Sequence, residues 1–429
     1  MPNGRKRILQ GVVFLTFFPY PAVAQVGNTY GVQLSDLVAP VIILLALPMV
    51  LAARSTRAYV ALVIPILVSL AALTYLGGRG DAGVAIRTTA TTMAALLILP
   101  AAGALMRQAR IQWLIAPVNL AICIHALVGV WQYLVFPGGG FPLRAIFQNT
   151  SFHDLQGIST SYALYVARPF GLFPEPSAMA AALGPWVLFL LWYGLRPGEQ
   201  ARKKALVGAG AGTVLILLSQ SIYAVFLLPC GFLILLFHRR TSTRKTSVLE
   251  VLAWALAALG AVMFPILSAG RIDFNTNNST QGRLTSLIEG ISQPLNSALT
   301  IFVGVGPGQS GIAVAAQAGA ATAIYSVVVM VFAEGGLIAL IAMIYVGRMC
   351  LVGRRHGYAY VFMFAWAAGI VFTTSYVSLS SIWVFLAMML DLEFENEGYP
   401  HRPDLMPERG RTTLNVVSNS PKRRQPVEH

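Results

Sequence analysis

Apolar runs of roughly 20 residues recur along the whole chain, the length that carries an α-helix across a bilayer. Between polar breaks they fall near residues 8–24, 37–53, 58–76, 88–106, 111–136, 178–195, 205–220, 222–237, 248–268, 322–346, 358–375 and 377–391. Lipid offers no water to backbone groups, so such a run must satisfy its own amides and carbonyls, which a helix does. The expected fold is all-α, a polytopic membrane protein with about 12 transmembrane helices. Charge content agrees, since 11% of the 429 residues are charged where a soluble domain carries roughly 25%. The cysteines, Cys123 and Cys230 inside apolar runs and Cys350 at the edge of one, do not form the framework of a disulfide-stapled secreted domain.

A net charge of +14 in a soluble chain would suggest nucleic acid, but its distribution here follows the spans. Alternate connections collect 24 of the 30 basic residues on one side. The other side holds Arg79, Arg87, Arg144, Arg168, Arg271 and Arg283, without a lysine. Lys and Arg stay cytoplasmic, so both termini are predicted inside and nucleic acid is not an expected partner. The head Arg5-Lys6-Arg7, the apolar stretch after it and Ala22-Val23-Ala24 also fit a cleavable signal peptide. Either outcome leaves residue 25 outside.

Two outer connections are long, about 137–177 and 269–321, and long loops in a compact protein usually carry function. Residues 393–429 are polar, acidic first and basic last. They read as a disordered cytoplasmic tail whose basic end can meet anionic lipid. No internal repeat suggests two inverted halves.

The first loop closes on A-R-P-F-G-L-F-P-E-P-S-A, from Ala167 to Ala178. Pro174 and Pro176 bracket Glu175, and the following proline holds it extended just before a helix starts. Glu175 is a rigidly presented carboxylate or simply a helix cap, a role open to Ser177 as well. Arg168 is an anion ligand or an interfacial anchor. His153 and Asp154 are an acid/base pair, part of a metal site, or ordinary loop neighbours. One histidine and no thiolate on the outer side give little basis for a metal site.

In the second loop Leu284, Leu287, Ile288 and Ile291 have the spacing of a short amphipathic helix lying on the membrane or the protein core. Arg283 stands at its start, where a cation opposes the helix dipole, so it gains more as an anion ligand than as a structural device. Arg271 is a second candidate. Gly304 to Gly308, G-V-G-P-G, looks like a phosphate nest, but Pro307 lacks an amide hydrogen and no Lys-Ser/Thr follows, so a tight turn is expected. Inside the spans, His125 and Glu334 are ionisable. An intramembrane carboxylate is functional by default, here paired with an outer arginine; the alternative is a neutral Glu334 hydrogen-bonded between helices.

The loops resemble the O-antigen ligase and polysaccharide polymerase family of bacterial inner-membrane glycosyltransferases. The resemblance rests on R-P-F-G-L-F-P-E-P-S (Arg168–Ser177), on G-R-L-T-S-L (Gly282–Leu287) leading to G-V-G-P-G, and on A-E-G-G-L (Ala333–Leu337). It covers roughly residues 140–345 and implies a GT-C-like membrane fold. It further implies transfer of lipid-linked glycan at the outer face, release of an undecaprenyl diphosphate carrier, and neither metal nor cofactor. Ligases of the family carry a histidine after the Gly-rich turn, whereas this chain has none between His238 and His356, which favours the polymerase branch. The implied partners are the lipid-linked oligosaccharide, membrane lipids, and other exopolysaccharide export and chain-length proteins.

The chemistry fits the residues present. A leaving diphosphate gathers negative charge, and Arg168 and Arg283 are the best-placed stabilisers. The attacking hydroxyl must lose a proton, and Glu175 is the most constrained carboxylate, as general base or as an orienting group. His153, Asp154, Arg271 and Glu334 complete the expected substrate-binding set. Residues 1–392 are then the transmembrane polymerase domain; a ligase, or a transporter or flippase of lipid-linked glycan, is the alternative.

Overall fold

Proline placement explains an end of two of the apolar runs, although Pro40, Pro48, Pro100, Pro117 and Pro185 lie inside helices. Pro19 and Pro21 interrupt the first, since a proline removes an amide and drives the residue before it out of the α region. Helix α1 (Asn3–Leu15) therefore stops early, and Ala22–Val26 (β1) pairs antiparallel with Tyr30–Gln33 (β2). The expected first span over 8–24 is thus corrected: α1 has 13 residues, a rise of about 20 Å, and the end of the run is strand. Pro176 acts the other way. Its fixed φ suits the first helical position, so α5 opens at Pro176 rather than near 178.

The computed structural model describes residues 3–18, 22–26, 30–52, 82–106, 111–135, 169–173, 176–194, 201–219, 287–310, 326–351 and 380–391. All belong to the unit Met1–Leu392; the expected tail, Glu393–His429, falls outside them. So do the runs expected at 58–76, 222–237, 248–268 and 358–375. Helix makes up 88% of the described residues, and among those residues the hairpin of β1 and β2 is the exception. The remaining elements are α2 (Leu34–Ala52), α3 (Ala82–Met106), α4 (Gln112–Val135), α5 (Pro176–Gly194), α6 (Arg202–Leu218), a 3-10 turn at Gln293–Asn296, α7 (Ala298–Val303), α8 (Val327–Leu351) and α9 (Ser380–Asp391). Among the described residues α4 is the helix long and apolar enough on its own to cross a membrane, while Leu37–Pro48, Leu97–Met106, Ala178–Gly194 and Val328–Ala342 are shorter apolar stretches.

Helix α5 forms the centre. Ala178 to Leu183 and Trp186 to Leu190 are all buried, so this helix is apolar on every side and enclosed on every side. The Trp186 ring meets Phe17 at 5.3 Å and Phe385 of α9 edge-on at 5.0 Å, and its indole N–H donates to the Ser381 carbonyl at 3.2 Å. Small residues let neighbouring helices close up: a side chain at Gly208 would meet Asn119 of α4 and Leu190 of α5, and one at Gly212 would meet Ile122 and Val187.

These contacts also set directions. Along α5 and α6, position 194 meets 206, 190 meets 208 and 187 meets 212, so the pair is antiparallel. Along α4 and α6, 119 meets 208 and 122 meets 212, so that pair is parallel. Helices α1 and α4 are parallel too. Gln10 Nε2 donates to the Trp113 carbonyl at 3.0 Å, while Phe17 and Phe18 reach His125.

Candidate functional site

Of the expected site residues, Glu334 lies within the described part of the chain. Arg168, Glu175, Arg283, His153, Asp154 and Arg271 lie outside it. The segments that carry the motifs are nevertheless described at two places.

At the first, residues 169–173, the P-F-G-L-F of the first motif, are clamped onto one face of α4. His125, Gly129 and Gln132 stand at i, i+4 and i+7 and so share that face. Gln132 Oε1 accepts the amides of Phe170 and Gly171 at 3.0 and 2.9 Å, and its Nε2 donates to the Gly171 carbonyl at 2.8 Å. A side chain at Gly129 would touch Pro169. The Leu172 amide donates to His125 Nδ1 at 3.2 Å, so Nε2 carries the ring hydrogen and donates to the Phe17 carbonyl at 2.8 Å. Phe18 stacks on the same imidazole at 5.0 Å, and Phe173 lies against it at 4.8 Å. Gly171 has φ +60, and a Cβ there would stand 2.8 Å from His125 Nδ1, so only glycine both turns the chain and lets it lie this close. His125 and Gln132 are wholly buried; each is satisfied by backbone.

At the second place the other two motifs meet. Helix α8 is broken at Gly336, with φ 60 and ψ −157, a conformation essentially confined to glycine. A break frees carbonyls one turn earlier, and buried backbone groups must find partners. Here Val305 N donates to the Ala333 carbonyl at 2.8 Å and Gly306 N to the Glu334 carbonyl at 3.0 Å. The G-V-G-P-G turn, with Gly304, Gly306 and Gly308 all at positive φ, thereby repairs the broken helix. It also grips the side chain: Ser310 Oγ donates to Glu334 Oε1 at 2.6 Å, and the amides of Gly308 and Ser310 donate to the same carboxylate.

The expected tight turn is therefore present, and Pro307 does not stop it from holding a carboxyl group, that of the half-buried Glu334. Its described partners are the hydroxyl of Ser310 and amides of the turn; of the outer arginines expected as alternative partners, Arg168, Arg271 and Arg283 lie outside the described residues. Ahead of the turn, residues 287–292 are helical as the apolar spacing predicted, and Ile288 and Ile291 are exposed. Ser297 caps α7 through a reciprocal pair with Thr300.

Sequence reasoning missed Gln132, Ser310 and the pairing of 305–306 with 333–334. One signal was available. A glutamine in an apolar run, seven residues after a histidine, places two polar groups on one helix face and asks what they bond. Gln293 poses the same question more sharply, since both its amide atoms are buried without a partner. Among the described residues no three of His, Cys, Asp and Glu gather as metal ligands would.

No protein-family model, no curated protein and no solved structure matches this chain.

Proposed function

We propose that this chain polymerises lipid-linked oligosaccharide repeat units at the outer face of a bacterial inner membrane, passing the growing glycan from its diphosphate carrier to a new repeat without a metal ion. The observation that carries the reading is the union of two of its motifs: G-V-G-P-G and A-E-G-G-L, far apart in sequence, form one hydrogen-bonded unit around Glu334. Motifs that meet in space are better grounds for a shared role than motifs that only share an order.

Two further observations support the membrane setting. Large apolar side chains stand exposed in rows: Leu120, Leu127, Trp131 and Leu134 on α4, Val207, Val214 and Leu217 on α6, and Ile338, Ile341 and Ile344 on α8. Water tolerates few such patches and lipid accepts them. Helix directions also agree with alternate crossing. The fifth and seventh expected spans are parallel, and the sixth is antiparallel to the seventh. Reporters fused after residues 155 and 290 are then expected to read periplasmic, and those after 200, 242 and 400 cytoplasmic. A cytoplasmic signal at 290 removes the proposed active face.

A second reading, a transporter or flippase, gains from the break at Gly336, because broken helices line cargo sites. In such sites the freed carbonyls face cargo, whereas those of Ala333 and Glu334 are taken by the turn's own amides. A ligase keeps the same donor chemistry with a different acceptor.

The deciding experiment supplies purified protein with a lipid-linked repeat unit, without nucleotide sugar, in the presence of chelator. A ladder of longer products is expected. Movement of intact substrate across a vesicle membrane without a ladder favours transport, and loss of the ladder on chelation with recovery by Mg or Mn ions sinks the metal-free mechanism.

A further inference from the structure

The clamp on α4 is more than packing. Five residues of the first outer loop, 169–173, are held through three backbone bonds to one glutamine and one to one histidine, both wholly buried in an apolar helix. Burying two polar side chains stabilises little by itself, since each bond replaces one made to water. What the arrangement supplies is register. Gln132 grips both the amide and the carbonyl of Gly171, so the turn neither slides along α4 nor rotates on it. In the chain, Arg168 directly precedes this turn and Glu175 follows it by two residues.

We infer that His125 and Gln132 are positioning residues, which hold residues 169–173 so that the groups on either side, Arg168 and Glu175, meet the diphosphate and the acceptor hydroxyl in fixed register. The inference rests on the polymerase reading. Neither residue touches substrate; each acts through the backbone of the turn.

The two ring nitrogens of His125 have different partners, and this separates positioning from general packing. Asparagine places a polar atom near Nδ1, so His125→Asn keeps a group for the Leu172 amide and drops the Phe17 carbonyl. Glutamine places one near Nε2, so His125→Gln keeps the Phe17 bond and frees the loop. Both remove one ring and one hydrogen bond, and a merely structural histidine responds alike to the two. A positioning histidine does not: turnover in His125→Gln is expected to fall on the order of 100-fold below His125→Asn at matched abundance, the cost of a small misplacement at a reacting centre. The fall belongs in kcat, with KM for the lipid-linked repeat little changed. In the glutamine host, adding Glu175→Gln should cost much less than it costs alone, because the group is already misplaced.

An arm independent of activity uses Glu175→Cys in a chain whose native cysteines are serine, labelled with a membrane-impermeant maleimide. Loss of the loop bond should raise the labelling rate about tenfold in the glutamine host relative to the asparagine host. Gln132→Glu, which keeps the acceptor for two amides and loses the donor to Gly171, serves where a histidine variant does not accumulate, and its labelling rate should rise likewise. Equal labelling in the hosts overturns the clamp. Unequal labelling with equal turnover overturns its positioning role. Unequal labelling together with a wild-type protein that makes no ladder supports the clamp and overturns the polymerase reading instead.

Discussion

Gly336→Ala will leave little folded protein. The residue sits at φ 60 and ψ −157, where an added Cβ would run into the carbonyl group of Phe302 and lie 2.7 Å from the Gly304 amide nitrogen. Backbone strain of this kind costs about 1–3 kcal/mol, and the clash adds to it, because the opposing atoms are main chain and cannot rotate aside. Relieving it means pulling the turn from α8, which would strand the Ala333 and Glu334 carbonyls and strip Ser310 from the carboxylate. Gly304→Ala meets the same contact from the other side, against the Glu334 carbonyl and the Gly335 amide. A total near 5–15 kcal/mol is all that a typical domain has, so abundance and melting temperature should both collapse. The matched control is Gly210→Ala, on α6 with nothing near its Cβ position; there alanine is expected to be neutral or to stabilise by roughly 0.5–1 kcal/mol. Thermal melting of detergent-solubilised protein reads all three, and a Gly336→Ala protein that melts with the wild type would dismiss the repaired break as a structural necessity.

The second large effect is on turnover at unchanged abundance. If Arg168 and Arg283 bind the diphosphate through paired, planar hydrogen bonds, lysine preserves charge but not geometry. Arg168→Lys and Arg283→Lys should then abolish polymer. Glu175→Gln keeps size and the capacity to cap a helix while removing the base, and general-base contributions run on the order of 100-fold to 10,000-fold. Abundant, inactive protein with substrate accumulating on its carrier is the required pattern. Loss of protein instead makes these residues loop anchors, and a Glu175→Gln enzyme near normal speed makes Glu175 a cap.

Run length was enough to place α2, α4 and α6, because a long apolar stretch has few alternatives to helix, whereas α8 continues to Leu351, past its expected end at 346. Ends were less legible. Pro176 starts a helix that a reading by hydropathy alone places two residues later, and Pro19 with Pro21 ends one that hydropathy would carry on to residue 24. The break at Gly336 was hidden because two glycines in an apolar run carry no local mark of which one, if either, turns the backbone. Its repair depends on amides some 30 residues away, and the grip on Glu334 on a serine 24 residues away. No local pattern encodes such a pairing; only the demand that every buried polar group find a partner points toward it. For Arg168, Glu175, Arg283, His153, Asp154 and Arg271, the reading still rests on their motifs and neighbours.

The imidazole of His125 joins the Phe17 carbonyl, 108 residues before it, to the Leu172 amide, 47 residues after it. Translation delivers these three segments in order. At roughly 5–20 residues per second, the first helix is finished on the order of ten seconds before its partner on α4 exists, and the loop arrives later still. Through that interval Phe17 and Phe18 are without the His125 ring that they meet in the finished fold. Once the junction has closed, a cut after Ala24 would release a carbonyl that a buried ring N–H depends on. A peptidase acting there would have to do so before the junction closes, so under the signal-peptide reading the clock of synthesis would matter as much as the small residues Ala22-Val23-Ala24.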